Sequence, residues 1–248
     1  LNWIQKKGSI TIKEISQKLN ISKVTARKDI DNLQSKGLVI RTHGGAVKKE
    51  IGTSFEPIYN EKKKKNHKCK AAIGKAAAEL VKDGETLIID SGSTSYEITN
   101  YLKHKKDLTI YTYDLMIAIN LSRNSNLDVY ITGGKVRNNL YTTRGAETNK
   151  KFSELYVNRL FLSVDALDLE NGISSATDEG SYIKKEIIKS SNEVVLIADH
   201  SKFGKRAMAH VARLDVVDKI ITDEYLDEEY YQKIKGLNIP IKLVKIDK

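Results

Sequence analysis

The chain has 248 residues, 40% hydrophobic and 30% charged, with a net charge of +10. That is one large domain or two ordinary ones, with no run near the roughly 20 apolar residues of a membrane span and no apolar signal-peptide core near the start. A single cysteine, Cys69, excludes an internal disulfide and fits a reducing compartment such as the cytoplasm.

The charge is unevenly placed. Residues 1–70 carry 17 Lys+Arg against 6 Asp+Glu, and residues 71–248 carry 25 against 26. This asymmetry predicts a short polyanion-binding module joined to a near-neutral domain, set against a merely solvated basic surface. Residue 1 is a leucine, so the chain is expected to begin inside a longer natural protein with part of its first helix missing.

Ile4 marks a short first helix ending at Lys6-Lys7-Gly8. Thr11 and Glu14 form a capping box for a second helix whose apolar face is Ile12, Ile15 and Leu19. After a turn at Asn20-Ile21, Ser22 caps a third helix with Val24, Ile30 and Leu33 inward and Gly37 as its C-cap. Residues 38–42 are β-prone and precede Gly44-Gly45, so residues 1–47 read as a winged helix-turn-helix.

With Val24 and Ile30 inward, Ser22, Lys23, Ala26 and Arg27 are left for the DNA groove, and Thr25 and Lys28 for phosphates. Arg27 suits a bidentate contact to guanine, and Ala26 a close approach to a base edge or thymine methyl. Arg41, His43, Gly44 and Gly45 extend this surface through the wing. The bland alternative is an amphipathic helix with a solvated basic face.

Residues 48–66 read as a basic linker. Its run Lys62-Lys63-Lys64-Lys65 is a solvated joint or charged helix face, or else a nonspecific phosphate contact. An Ala-rich helix over 67–81 follows. Strand-like runs then recur at 86–90, 108–112, 127–132, 159–164, 193–199, 219–223 and 241–246, with helical stretches at 95–102, 114–122, 182–190 and 227–235. The alternation predicts an α/β domain over 67–248 with a mostly parallel sheet, binding its ligand at the carboxyl ends of the strands.

Three turns there suit an anionic ligand. Asp90-Ser91-Gly92-Ser93-Thr94-Ser95 opens a helix, where backbone N–H groups and hydroxyls hold anions. Gly133-Gly134-Lys135 follows the third strand, and Asp199, Ser201 and Lys202 follow the fifth. Thr112 and Asp165 stand at two further strand ends. A helix cap, a tight turn and a capped loop with a salt bridge are the corresponding plain readings.

The third helix and wing, Ser22-Lys23-Val24-Thr25-Ala26-Arg27-Lys28-Asp29-Ile30-Asp31-Asn32-Leu33 and Gly37 to Ala46, resemble the N-terminal signature of the DeoR family of bacterial transcriptional regulators. That signature runs S-x-x-T-I-R-R-D-L-x-x-L, then G-x-L-x-R-x-H-G-G-A. Ala26 stands where Ile or Val is usual, and Lys28 replaces an Arg and its guanidinium fork. Downstream, Asp90 to Thr94, Gly133-Gly134, Asp199 to Gly204 and Ile221-Thr222-Asp223 resemble the family's sensor turns. The resemblance implies a sugar-phosphate sensor of the fold shared with ribose-5-phosphate isomerases and CoA transferases. It also implies repression of a sugar-catabolic operon, relieved by a phosphorylated sugar.

Three sensor positions depart from the pattern: Thr112-Tyr113-Asp114 for T-N-S, Ser163-Val164-Asp165-Ala166 for G-x-D/N-G, and Gly180 for an acid. Tyr113 and Asp114 are expected to narrow the pocket and add negative charge. A sugar-phosphate isomerase-like enzyme is the alternative, with Asp90, Asp165 and Lys202 moving protons, but no His–carboxylate pair or nucleophile motif accompanies them. The five histidines lack paired metal-ligand spacing, so no metal or cofactor is expected, and His200 reads as a supporting or surface residue. The basic section lacks the interleaved aromatics of a single-strand or RNA binder. One reading helix covers few bases, so a homodimer or homotetramer on duplex operator DNA is expected.

Overall fold

The computed structural model describes residues 2–35, 38–48 and 52–246. Its chain forms two compact units, Leu1–Gly52 and Thr53–Lys248. Among the described residues no helix is long and apolar enough to cross a membrane.

The first unit contains α1 (Asn2–Lys7), β1 (Ser9–Thr11), α2 (Ile12–Leu19), α3 (Lys23–Ser35), β2 (Val39–Thr42) and β3 (Gly45–Lys48). Thr11 caps α2 through the expected box: its hydroxyl accepts from the Glu14 N–H, and Glu14 accepts from the Thr11 N–H. Strand β1, which the sequence did not announce, joins the wing as an antiparallel sheet ordered β1-β3-β2. Gly45 permits this pairing, because a Cβ there would lie 2.0 Å from the Ile10 carbonyl oxygen.

The helical phase of α3 differs from the sequence reading. Ala26 is 0% exposed and packs with Ile30, Ile4, Ile10, Ile12, Ile15, Val39 and Ala46, whereas Val24 is 71% exposed. Positions 26, 30 and 33 are spaced i, i+4, i+7 along one stripe, so Ala26 takes the inward place assigned to Val24. Leu19 is exposed as well. The Gly37 C-cap lies outside the described residues.

The second unit begins with α4 (Tyr59–Lys64) and α5 (His67–Ala78). There follow β4 (Thr86–Ile89), α6 (Ser93–Thr99), β5 (Leu108–Thr112), α7 (Leu115–Leu121) and β6 (Leu127–Ile131). A hairpin β7 (Lys135–Arg137) and β8 (Thr142–Arg144) leads to α8 (Ala146–Ser153) and β9 (Val157–Leu162). The chain continues through β10 (Ala166–Asp168), β11 (Gly172–Ser175), α9 (Asp178–Lys189), β12 (Ser191–Ile197), β13 (Ala209–Ala212), β14 (Lys219–Asp223), α10 (Glu228–Gly236) and β15 (Ile241–Val244).

Seven strands form a parallel sheet ordered β15-β14-β12-β9-β4-β5-β6. These are the seven strand-like runs of the sequence, shifted by at most two residues at their starts. Alternate residues face opposite sides of a strand, and both sides are apolar. Ile88, Leu160, Leu162, Val194, Leu196 and Ile220 pack under α8, α9 and α10. Leu87, Ile89, Phe161, Val195, Ile197 and Ile221 pack under α5, α6 and α7.

Strand order fixes where a ligand belongs. From β4 the chain steps outward through β5 and β6, and from β9 it steps the other way through β12, β14 and β15. The loops after β4 and β9 therefore part at a topological switch point, the usual crevice for ligands in open α/β sheets.

Candidate functional site: a reading helix and a cationic cleft

In the first unit α3 carries an exposed polar face. Ser22, Lys23, Thr25, Arg27 and Lys28 are exposed, as are Arg41, His43 and Gly44 of the wing. Ser22 doubles as the cap, its hydroxyl accepting from the Thr25 N–H at 3.1 Å and lying 2.9 Å from the Thr25 hydroxyl. Arg41 is tied to Asp31 at 2.6 Å. Two expected DNA contacts are corrected. Ala26 is buried in the core, and Gly45 is buried in the wing sheet with its backbone paired on both sides. Val24 instead is the apolar side chain on the outer face.

In the second unit a cleft of about 650 Å³, including its open mouth, lies at the switch point. Ser91, Gly92, Ser93 and Thr94 line it after β4, and Ser163, Val164 and Asp165 after β9. The β7–β8 hairpin adds Arg137, Thr142, Thr143 and Arg144, and α9 adds Glu179, Gly180, Ile183 and Lys184. Glu56, Lys62, Tyr113, Ser175 and Lys202 complete the wall.

Asp90 does not reach the cleft. It is fully buried, and one carboxylate oxygen accepts from the Ser163 N–H at 2.9 Å and the Ser163 hydroxyl at 3.0 Å while pairing with Lys184. The other accepts from the Ser91 N–H and the Tyr113 hydroxyl. Asp90 thus ties the loops after β4 and β9 to α9, and Lys184, absent from the sequence reading, is its counter-charge.

Several other assignments are also corrected. Ser95 and Thr112 are buried away from the cleft, and the Thr112 hydroxyl accepts from the Asp114 N–H at 3.1 Å. Gly133, Gly134 and Lys135 are exposed outside it. Gly134 has φ +120°, and a Cβ there would meet the Arg144 carbonyl oxygen at 2.4 Å, so the turn serves to start the hairpin. Asp199 caps the short 3-10 helix His200–Lys202 and accepts from Asn66 at 2.7 Å. Of that turn only Lys202 lines the cleft.

Charges in the cleft are mostly paired internally. Glu56 bridges Lys62 at 2.8 Å and Arg137 at 2.7 Å, and Arg144 pairs with Glu179. Burial opposes ionisation of Asp165, but Lys62, Lys184 and the Ala176 N–H outweigh it and hold the carboxyl at about 2. Lys202 has no carboxylate within 4.0 Å among the described residues, and burial lowers its ammonium from the ordinary range while Asp165 draws it up. Glu56 and Lys62 came from the stretch read as linker. A lysine run has no apolar period to announce such anchoring.

Tyr113 lines the cleft, but Asp114 turns away. It caps α7 through the Met116 and Ile117 N–H groups and accepts from the Gly92 N–H at 3.2 Å. Burial raises its carboxyl to about 6 against those three donors. A raised carboxyl favours the fold fully below about pH 4, and that contribution is lost as pH rises through about 6. Asp114→Asn should flatten the urea-measured stability curve between these limits by about 2–3 kcal/mol. An unchanged curve contradicts the assignment.

A helix-turn-helix head and a parallel α/β unit with a cationic cleft define a ligand-responsive DNA-binding protein. The model of the DeoR-like helix-turn-helix domain matches residues 1–51, and that of the DeoR C terminal sensor domain matches residues 65–224. The chain belongs to the DeoR family of transcriptional regulators, which is not an enzyme family. It is 29% identical to the HTH-type transcriptional regulator GolR of Listeria innocua over 99% of this chain and 96% of that one. It is 27% identical to a putative aga operon transcriptional repressor of Escherichia coli O157:H7, over 97% and 90%, and 29% identical to the repressor GlcR of Bacillus subtilis, over 93% and 88%.

Among solved structures, ribose 5-phosphate isomerase A from Neisseria gonorrhoeae aligns at TM-score 0.39 and 18% identity, over 55% of this chain and 53% of that one. The eIF2B delta subunit from Chaetomium thermophilum aligns at 0.46 and 12%, over 65% and 56%. This chain thus spans about half the length of those structures.

Proposed function

We propose that the protein represses a sugar-catabolic operon in the cytoplasm and releases its operator when a phosphorylated sugar enters the cleft. The observation that carries this reading is Lys202, a half-buried lysine in the cleft wall with no carboxylate in ion-pair range among the described residues. Such a partly desolvated cation, its pairing capacity unused, is a ready partner for an anionic group. The Ser93 and Thr94 hydroxyls line the same wall, and Thr142 and Thr143 offer partners for sugar hydroxyls. The relatives named as repressors support the sign of regulation.

A thermal-shift screen tests the ligand class, because a ligand that binds only the folded state raises its melting temperature. Phosphorylated pentoses or hexoses should raise it, and the parent sugars should not. A screen in which no sugar phosphate shifts the melting temperature overturns the assignment.

DNA reading rests on the outer face of α3, with Arg27 as base reader, Val24 as a contact to a thymine methyl, and Lys23, Thr25 and Lys28 on phosphates. Two such helices on half-sites are needed for a unique operator, so the protein acts as a homodimer or homotetramer joined through its sensor units. Arg27→Ala should cost about 1–3 kcal/mol in operator affinity and relax specificity at one base pair. Equal loss on all sequences would make Arg27 a phosphate contact.

A further inference from the structure

Three side chains of the second unit, far apart in sequence, converge outside the cleft. Cys69 lies in the first turn of α5, His200 opens the 3-10 helix after β12, and Asp223 ends β14. One potential ligand atom from each lies within 4.8 Å of the others. The His200 Nδ1 is 2.8 Å from an Asp223 carboxylate oxygen. Asp223 and Cys69 are buried, and the His200 side chain is 31% exposed, which leaves one approach from solvent.

We propose that Cys69, His200 and Asp223 form a binding site for one divalent transition-metal ion of the zinc class, with water as fourth ligand. Thiolate, imidazole and carboxylate together make a borderline-soft donor set that suits Zn²⁺ and, as a probe, Co²⁺. A tetrahedral ion with bonds of about 2.0–2.3 Å keeps its ligand atoms about 3.3–3.8 Å apart. The widest separation here therefore closes with a shift of about 1 Å.

The outer contacts are already in place. The Asp223 carboxylate accepts from the His200 N–H at 2.9 Å and the Tyr225 N–H at 3.1 Å, which fixes its orientation. The Tyr225 ring stands edge-on to the imidazole, with centroids 5.7 Å apart. Such outer partners orient ligands and sharpen metal affinity. Burial first, then the charges of Asp223 and Asp199, raise the Cys69 thiol to about 11. The same carboxylates that resist a bare thiolate attract a dication.

On loading, the sulfur–metal bond replaces the S–H bond and that proton goes to solvent. The imidazole binds through one ring nitrogen and carries a proton on the other.

The test is titration of the chelator-treated 248-residue chain with Co²⁺. The expected result is one ion per chain, about one proton released per ion near pH 7, and a thiolate-to-cobalt charge-transfer band that Zn²⁺ displaces. Cys69→Ser should abolish the band. His200→Gln, at a partly exposed position, should weaken binding about tenfold or more. No thiolate band at excess Co²⁺, a band retained in Cys69→Ser, or an unchanged Co²⁺ affinity in His200→Gln overturns the proposal.

Discussion

Lys184→Met is expected to destabilise the second unit by about 3–5 kcal/mol. The methionine fills nearly the same space, so the loss is electrostatic. Asp90 is 0% exposed and Lys184 nearly so, and the ammonium also donates to the Ser163 carbonyl at 2.8 Å. Without it the carboxylate keeps its Ser163, Ser91 and Tyr113 donors but has no counter-charge at a position closed to solvent. Urea unfolding of the full chain reads the loss in the second unit's transition. Adding Asp90→Asn to Lys184→Met should restore part of it, because the double variant carries no unpaired buried charge. A single variant as stable as the parent would show that Asp90 is held by hydrogen bonds alone.

Lys202→Ala has the opposite signature. Operator affinity should be unchanged, and the melting temperature without ligand should hold or rise, since a half-buried lysine with no ion-pair partner among the described residues is removed. Affinity for the phosphorylated sugar should fall roughly tenfold to one hundredfold, the value of a hydrogen bond to a charged group. Lys202→Arg should keep part of the response. A marked fall in melting temperature would make Lys202 structural.

Local signals are legible in the sequence. The Thr11–Glu14 capping box needs only four consecutive residues, and the seven parallel strands are short apolar runs, the central ones buried on both faces. Phase within α3 was harder. Val24 and Ile30 are the larger apolar residues, yet small Ala26 is the one that fits inward against the core of the first unit. Hydrophobicity pointed one way and close packing decided the other.

The cleft depended on contacts between distant segments, where sequence gives little guidance. Asp90 looked like a ligand because it ends a strand, but its charge is taken by Lys184, 94 residues on. Lys62 looked like part of a solvated run, but Glu56 and Asp165 hold it in the wall. Gly133-Gly134-Lys135 is expected from the sequence as a ligand contact, whereas it lies outside the cleft and starts the hairpin whose Arg137, Thr142, Thr143 and Arg144 line it. Cys69, His200 and Asp223 have no shared spacing, so their convergence is a product of the sheet order alone.

Fluorescence anisotropy on a duplex operator selected from a random pool tests the switch most directly. A phosphorylated sugar should release the wild-type protein while its unphosphorylated parent does not, and Lys202→Ala should stay bound in the presence of either. Release of Lys202→Ala at the wild-type ligand concentration, or a wild-type complex that no sugar phosphate dissociates, would contradict a switch worked by an anion in this cleft.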